Sequence, residues 1–252
     1  MGFSVAPGAY DRFMGRYAAR LAPLLADEAG VAPGARVLDV GCGPGALTAE
    51  LVRRTGAARV HAVDPEPAFV AAVRDRLPGV DARLGAAEDL PFTDGSVDVA
   101  LAQLVVPFLA DPDRGLREML RVTCDAGTLA ACVWDHAGGT GPLVPFWDAV
   151  RDVDPGAVDE AAAPGAAAGD LLRRVRAAGG REPVESRLTV AVPWPSFDAW
   201  WEPCTLGVGP AGAYLAALDP DAAVRVRERC RAALPDAPFT LRATAWCVVA
   251  RA

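Results

Sequence analysis

Lysine is absent from this 252-residue chain, so all 25 basic residues are arginine and chemistry that needs a lysine Schiff base or lysine general base is excluded. Histidine is scarce. His61 and His136 are the only two, no ligand cluster surrounds either in sequence, and a metal site is not expected. The six cysteines, at 42, 124, 132, 204, 230 and 247, include no Cys-x-x-Cys pair, which predicts reduced thiols filling a core. No apolar run approaches the roughly 18 residues of a membrane span. The longest uncharged stretch, Pro203 to Leu218, carries Pro210 and three glycines. The opening residues Met1 to Gly8 have neither the basic start nor the apolar run of a secretory signal, and Ala6 stands where a myristoylation signal needs Ser or Thr. These absences predict a cytoplasmic protein with no membrane partner.

Positive charge is also in deficit. Against 25 basic residues stand 32 acidic ones, a net charge of −7, and no basic patch is interleaved with aromatics. Such a chain is a poor match for a phosphate backbone, so a nucleic-acid partner is not expected. With 52% hydrophobic and 23% charged residues the composition is that of an ordinary folded protein, which excludes disorder, collagen-like repeats and coiled coil.

Apolar positions Tyr10, Phe13, Met14, Tyr17, Leu21, Leu24 and Leu25 recur at helical spacing and predict a leader helix. From Arg36 onward, short apolar runs at 36–41, 59–64, 81–85, 97–103 and 127–133 alternate with helical periodicity at 45–56, 66–77 and 112–123. Repeated strand-helix-strand units of this kind predict a parallel sheet. Beyond Asp135 the pattern loosens into a Gly/Pro/Ala-rich stretch reaching about Gly169. A helix at 170–178, a strand at 187–193, a Trp-rich helix near 196–202, a helix at 220–233 and a strand at 239–249 complete the reading. The expectation is one domain over 1–252, with a helical cap at 1–35, a ligand-binding core at 36–136, and insertions with the final strands at 137–252.

The run Val37-Leu38-Asp39-Val40-Gly41-Cys42-Gly43-Pro44-Gly45-Ala46-Leu47 reads as a strand, a Gly-rich turn and a helix start. Without a Cβ at 41 and 43 the backbone can turn tightly and a ligand can approach its N–H groups. Nineteen residues after Gly45, strand two ends at Val63-Asp64-Pro65, where a carboxylate can accept two hydrogen bonds from a ribose. Gly41 to Ala46 also fits the G-x-G-x-x-A dinucleotide pattern, so a nicotinamide-dependent dehydrogenase is a competing reading. Asp39 separates the two, since an acid two residues before the glycines suits a ligand with a positive amino group. The alternative for Asp39 is a cap on the amides of its own loop.

VLDVGCGPGALT, the VDP that ends strand two, AAEDLPF at 87–92 with the residue before it, and DGSVDVALAQLV at 94–105 resemble the class I S-adenosylmethionine-dependent methyltransferases. Within that class the chain is similar to the bacterial set of ubiquinone/menaquinone-type methyltransferases, methyltransferase type 11. The similarity is clearest over about residues 10–136. It implies an α/β fold: a Rossmann-like seven-stranded sheet with helices on both faces, the last strand antiparallel, and an insertion or lid in the C-terminal half. It implies S-adenosyl-L-methionine as cofactor and a small-molecule substrate methylated at O, N or C. It further implies that Gly41, Cys42 and Gly43 bring backbone against the methionine part with Asp39 nearby. Asp64 would take the ribose hydroxyls, Pro65 would pack on adenine, and Ala87 and Glu88 would meet the adenine edge. Gln103 would lie beside the amino-acid part, and Arg16 and Tyr17 would close the pocket from the leader.

Departures from the family pattern fall at Ala86, where relatives often carry Asp or Asn, at Pro107, which cannot exchange a proton, and at Thr123-Cys124-Asp125-Ala126-Gly127. His136, after strand five, is the first candidate base, with Asp135 and Tyr10 behind it. The alternative for His136 is a loop histidine bonded to backbone. His61, inside an apolar strand, reads as a packed or edge residue. Trp194 to Trp201 holds three of the six tryptophans and reads either as an aromatic lid or as the core of the insertion. A non-methylating enzyme on the same fold (cyclisation or elimination) and a non-catalytic partner that keeps the pocket are the other readings. A homodimer and a hetero-oligomer are both compatible with the sequence.

Overall fold

The structure, a computed structural model, describes residues 7–252. The first six residues, on which the reading of the chain's start rests, lie outside it. The leader is α1 (Pro7–Tyr10), a π-helical turn over Asp11–Gly15, and α2 (Arg16–Glu28). Tyr17, Leu21 and Leu25 recur on one face of α2 and are buried against the sheet. Leu21 and Leu25 each contribute about 1.5–3 kcal/mol through that burial. The π-turn shifts the register between α1 and α2, and π-turns of this kind recur at functional sites.

The chain then alternates as the apolar runs predict: β1 (Val37–Val40), α3 (Ala46–Thr55), β2 (Val60–Asp64), α4 (Pro67–Arg76), β3 (Asp81–Leu84), β4 (Val97–Gln103), α5 (Pro112–Val122) and β5 (Thr123–Trp134). After these come α6 (Val144–Val153), α7 (Asp170–Ala178), β6 (Arg181–Trp194), α8 (Phe197–Cys204), α9 (Gly209–Ala217), α10 (Pro220–Ala233) and β7 (Phe239–Arg251). The seven strands form one sheet in the order β3-β2-β1-β4-β5-β7-β6. β1 to β5 pair in parallel and β7 runs antiparallel to both β5 and β6, as the resemblance implies.

The central strands are apolar on both faces because helices cover both. Val37 joins the core under α2 and α3, whereas Leu38 and Val40 join the core under α5 and α7. Asp111 caps α5 by accepting the Arg114 N–H at 2.9 Å, and Leu116, Met119 and Val122 point inward from that helix. The chain order reverses between β1 and β4, so their carboxyl ends diverge and leave a crevice, the usual place for a ligand in an open α/β sheet.

Three expectations are corrected. The stretch expected to be irregular from Asp135 to Gly169 contains α6, which buries Phe146, Trp147, Ala149 and Val150. A further helix, α9, follows the Trp-rich one. β5 begins at Thr123 rather than 127, because Thr123 pairs with Val97 before a register shift restores the ladder at Thr128. No helix among the described residues is long and apolar enough to cross a membrane.

Candidate functional site

At the switch point lies a cleft of about 320 Å3, walled by the loops after β1, β2, β3 and β4. Gly41 and Gly43 form its floor, Asp64, Pro65 and Glu66 one side, Ala86, Ala87 and Glu88 the next, and Gln103 to Val105 the back. Tyr10 from the leader crosses the mouth, with its ring 5.8 Å from Phe69 in an edge arrangement. An Asp11–Arg76 ion pair at 2.8 Å and an Arg12–Glu202 pair fasten this part of the leader to α4 and α8.

Gly41 sits at φ +68°, and a Cβ there would lie 2.6 Å from both methyls of Val105, so this crossing of β1 over the end of β4 accepts only glycine. Gly43, at φ +52°, has open space where a Cβ would go. The expectation that the turn offers free N–H groups to a ligand is corrected. Gly41 and Cys42 donate to the Val63 carbonyl at 2.8 and 3.0 Å, and Gly43 donates to Asp64 Oδ2 at 2.8 Å. What the turn gives the cleft is close backbone without side chains, not an anion-binding nest.

Asp64 therefore has two tasks. Its Oδ2 holds the Gly43 N–H and its Oδ1 the Glu66 N–H at 2.9 Å, and its remaining lone pairs face the cleft. Burial raises its carboxyl above the ordinary value, and the two amide donors oppose that shift. Capping, considered for Asp39, is shared: Asp64 holds the Gly43 and Glu66 N–H groups, and Asp39 accepts the Thr48 backbone N–H in the first turn of α3. Asp39 lies beneath the turn, fully buried, and accepts the Thr48 hydroxyl at 2.7 Å. Burial, with Asp64 adding repulsion, pushes its carboxyl up to about 7.

Gln103 donates from Nε2 to the Ala18 carbonyl at 3.1 Å, while its Oε1 is buried with no hydrogen-bond partner among the described residues. An orphaned acceptor in a cleft wall suits the positive amino group of a ligand. The charged residues that line the cleft are Asp64, Glu66 and Glu88, all acidic, and no arginine joins them. This surface fits a cationic, ribose-bearing ligand and is unsuited to a pyrophosphate. Glu88 already accepts the Ala110 and Asp111 N–H groups at 2.7 and 3.2 Å.

Of the residues expected in the site, Gly41, Gly43, Asp64, Pro65, Ala87, Glu88 and Gln103 converge on this cleft. Asp39 and Cys42 lie behind the turn, with Cys42 buried toward α4. Arg16 and Tyr17 do not line the cleft. Arg16 stacks on Trp194 at 4.8 Å, and Tyr17 is buried with Trp134 and Trp194 around its ring. The leader residue at the cleft is Tyr10 instead.

A second cavity, an apolar chamber of about 50 Å3, shares Tyr10, Leu104 and Phe108 with the cleft. Leu104 is held at φ +64°, an uncommon conformation for a non-glycine residue, and its N–H is bonded to the Cys132 carbonyl at 2.9 Å. His136 lines the chamber, its Nε2 3.8 Å from Glu160 Oε1, and burial lowers its pKa so that the ring is neutral near pH 7. Glu160, which also accepts the Trp147 indole N–H at 2.9 Å, carried no signal in the sequence. Asp135 is occupied by its own loop, accepting the Gly138 N–H at 2.8 Å and the Thr140 hydroxyl at 2.7 Å. His61 lies away from both cavities, 3.0 Å from Asp81 at the strand edge. Trp200 and Trp201 are buried in the core around Phe197 and Trp194 beside Tyr17, and none of the three lines either cavity, which selects the core reading over the lid.

A family described as a methyltransferase domain matches residues 38–131. Over 135 residues, 54% of this chain and 52% of the other, the sequence is 38% identical to an uncharacterized methyltransferase of Mycobacterium tuberculosis. The chain thus spans about half the length of such curated relatives. The crystal structure of the YcgJ protein of Bacillus subtilis shares the fold with a TM-score of 0.57 at 18% identity, covering 91% of this chain and 97% of that one. A [4+2]-cyclase, SpnF, does so with a TM-score of 0.57 at 23% identity, covering 92% and 80%.

Proposed function

We infer that this chain, which carries the class I S-adenosylmethionine-dependent methyltransferase fold and the family's methyltransferase domain at residues 38–131, moves a methyl group from S-adenosylmethionine to an O, N or C atom of a small molecule. The observation that carries this reading is the pair of adjoining cavities. An acid-lined cleft at the switch point with an orphaned Gln103 oxygen shares a wall with an apolar chamber that contains a neutral histidine.

When bound, S-adenosylmethionine supplies a methyl carbon on a positive sulfur, whose bonding pair returns to sulfur as the acceptor atom bonds to carbon. The chain's own residues supply the rest. Asp64 would hold the ribose hydroxyls, Pro65 and Ala87 the adenine faces, and Gln103 Oε1 the ammonium, with Asp39 beneath the turn acting on it only through its charge. Tyr10, Leu104 and Phe108 stand where the two cavities meet, keep water out and align the acceptor. His136 Nε2 would take the acceptor's proton when the acceptor carries one. Conversion of S-adenosylmethionine to S-adenosylhomocysteine with a panel of single-ring alcohols, phenols and amines tests the reading. Binding of the cofactor without turnover of any acceptor would count against methyl transfer.

Pro107 favours a second reading. It lines the chamber and cannot exchange a proton, and a [4+2]-cyclase shares this fold. In that reading the chamber would orient a substrate for a cyclisation while the cofactor stays intact.

A further inference from the structure

The chamber beside the cleft has an unusual charge arrangement. Tyr10 and Trp134 aside, its lining is apolar except at one end, where His136 and Glu160 meet with side chains only 11% and 13% exposed. The neighbouring acids are already occupied: Asp159 pairs with Arg151, and Asp135 takes the amide and hydroxyl of its own loop with Arg187 3.9 Å away. Glu160 is different. No arginine among the described residues lies within ion-pair distance of it, and its polar neighbours are the Trp147 indole N–H and the imidazole. A largely buried carboxylate without a cation is expensive unless something that enters the cavity compensates it. A second, independent feature is Trp134, which lines the same chamber, is 4% exposed, and has an indole N–H with no partner among the described residues.

We propose that this chamber accepts an apolar molecule whose reacting end bears a hydrogen-bond donor and no negative charge, an ammonium or a hydroxyl, and that Glu160 is the residue that makes this choice. The proposal rests on the methyltransferase reading and specifies its acceptor. The donor end meets Glu160 and the His136 ring, Tyr10, Phe13 and Phe108 enclose the apolar body, and an oxygen elsewhere on the molecule can take the Trp134 N–H. An acceptor with a carboxylate or phosphate at that end would face a like charge in a low-dielectric pocket, which is strongly unfavourable.

The test uses the full chain saturated with S-adenosylhomocysteine, and three probes that differ only in their end group: benzylamine, benzyl alcohol and benzoate. Calorimetry should show binding of the amine and the alcohol, with benzoate about tenfold weaker or more. Preference for the amine over the alcohol identifies an ammonium, and the reverse a hydroxyl. In Glu160→Gln, whose amide oxygen still accepts from Trp147, the discrimination against benzoate should shrink by at least about fivefold while S-adenosylhomocysteine affinity is retained, which also reports correct folding. Benzoate binding as tightly as the other probes, discrimination unchanged in Glu160→Gln, or no probe binding to the loaded protein would overturn the proposal. Failure of S-adenosylhomocysteine itself to bind wild type would instead overturn the underlying cofactor reading, and the proposal with it.

Discussion

Lowering the pH from 8 to 6 should weaken cofactor binding through the buried carboxyl of Asp39. Asp39 is sealed beneath the Gly-rich turn, bonded to the Thr48 hydroxyl at 2.7 Å, and burial holds its carboxyl near 7 rather than the ordinary 3.8. In the empty protein the folded chain therefore holds a proton that the unfolded chain releases. This group's contribution to stability is largest below 3.8 and declines as pH rises toward 7. A bound ligand with a positive ammonium and sulfonium favours the carboxylate, so binding near neutrality should release a proton. At pH 6 only about one molecule in eleven carries the carboxylate in advance, a loss of roughly tenfold in affinity or about 1.4 kcal/mol relative to the alkaline plateau. Titration calorimetry from pH 6 to 8, in buffers of different ionisation heat, reads both the slope and the proton. Asp39→Asn should bind weakly and without slope across the range. A flat wild-type profile, or a slope that survives in Asp39→Asn, would refute the assignment.

Other consequences are local. Gly41→Ala forces a Cβ at φ +68° into the Val105 methyls and should cost about 2–4 kcal/mol in denaturant unfolding. Gly43→Ala meets no such neighbour, so it should lose only about 1 kcal/mol of stability while its methyl intrudes on the cleft and weakens S-adenosylhomocysteine binding. With cofactor saturating, the acid limb of kcat/KM should fall below His136's ordinary 6.5, since burial keeps the ring neutral. His136→Ala should lower turnover about 100-fold and leave S-adenosylhomocysteine affinity unchanged; the opposite pattern in steady-state kinetics and calorimetry would make it a structural residue.

Much of the sheet and the cleft was legible because their residues answer to local rules. Gly41 and Gly43 mark positive φ, Asp64 marks the end of a strand beside them, and the mostly apolar runs of β1 and β4 announce a sheet covered on both faces. The chamber was less legible because tertiary packing builds it. α6 lies within the Gly/Pro/Ala-rich stretch, and its Pro145 occupies the first turn, where a missing N–H costs nothing. α9 is rich in Gly and Ala and shows no polar face to set a period. Glu160 lies in the Gly/Pro/Ala-rich stretch before Gly169 and gains meaning only because α6 brings Trp147 to it and the loop after β5 brings His136. The left-handed turn at Leu104 has no signature in a leucine at all.

The central claim is that the cleft at the ends of β1, β2 and β4 holds S-adenosylmethionine through Asp64. Its most direct test is calorimetric titration of S-adenosylhomocysteine into wild type and Asp64→Ala at pH 8, with circular dichroism confirming the fold of both. One binding site in wild type, weakened by about 1.5–3 kcal/mol in the variant, is the predicted result. No binding to wild type, or equal affinity in the two proteins, would contradict it.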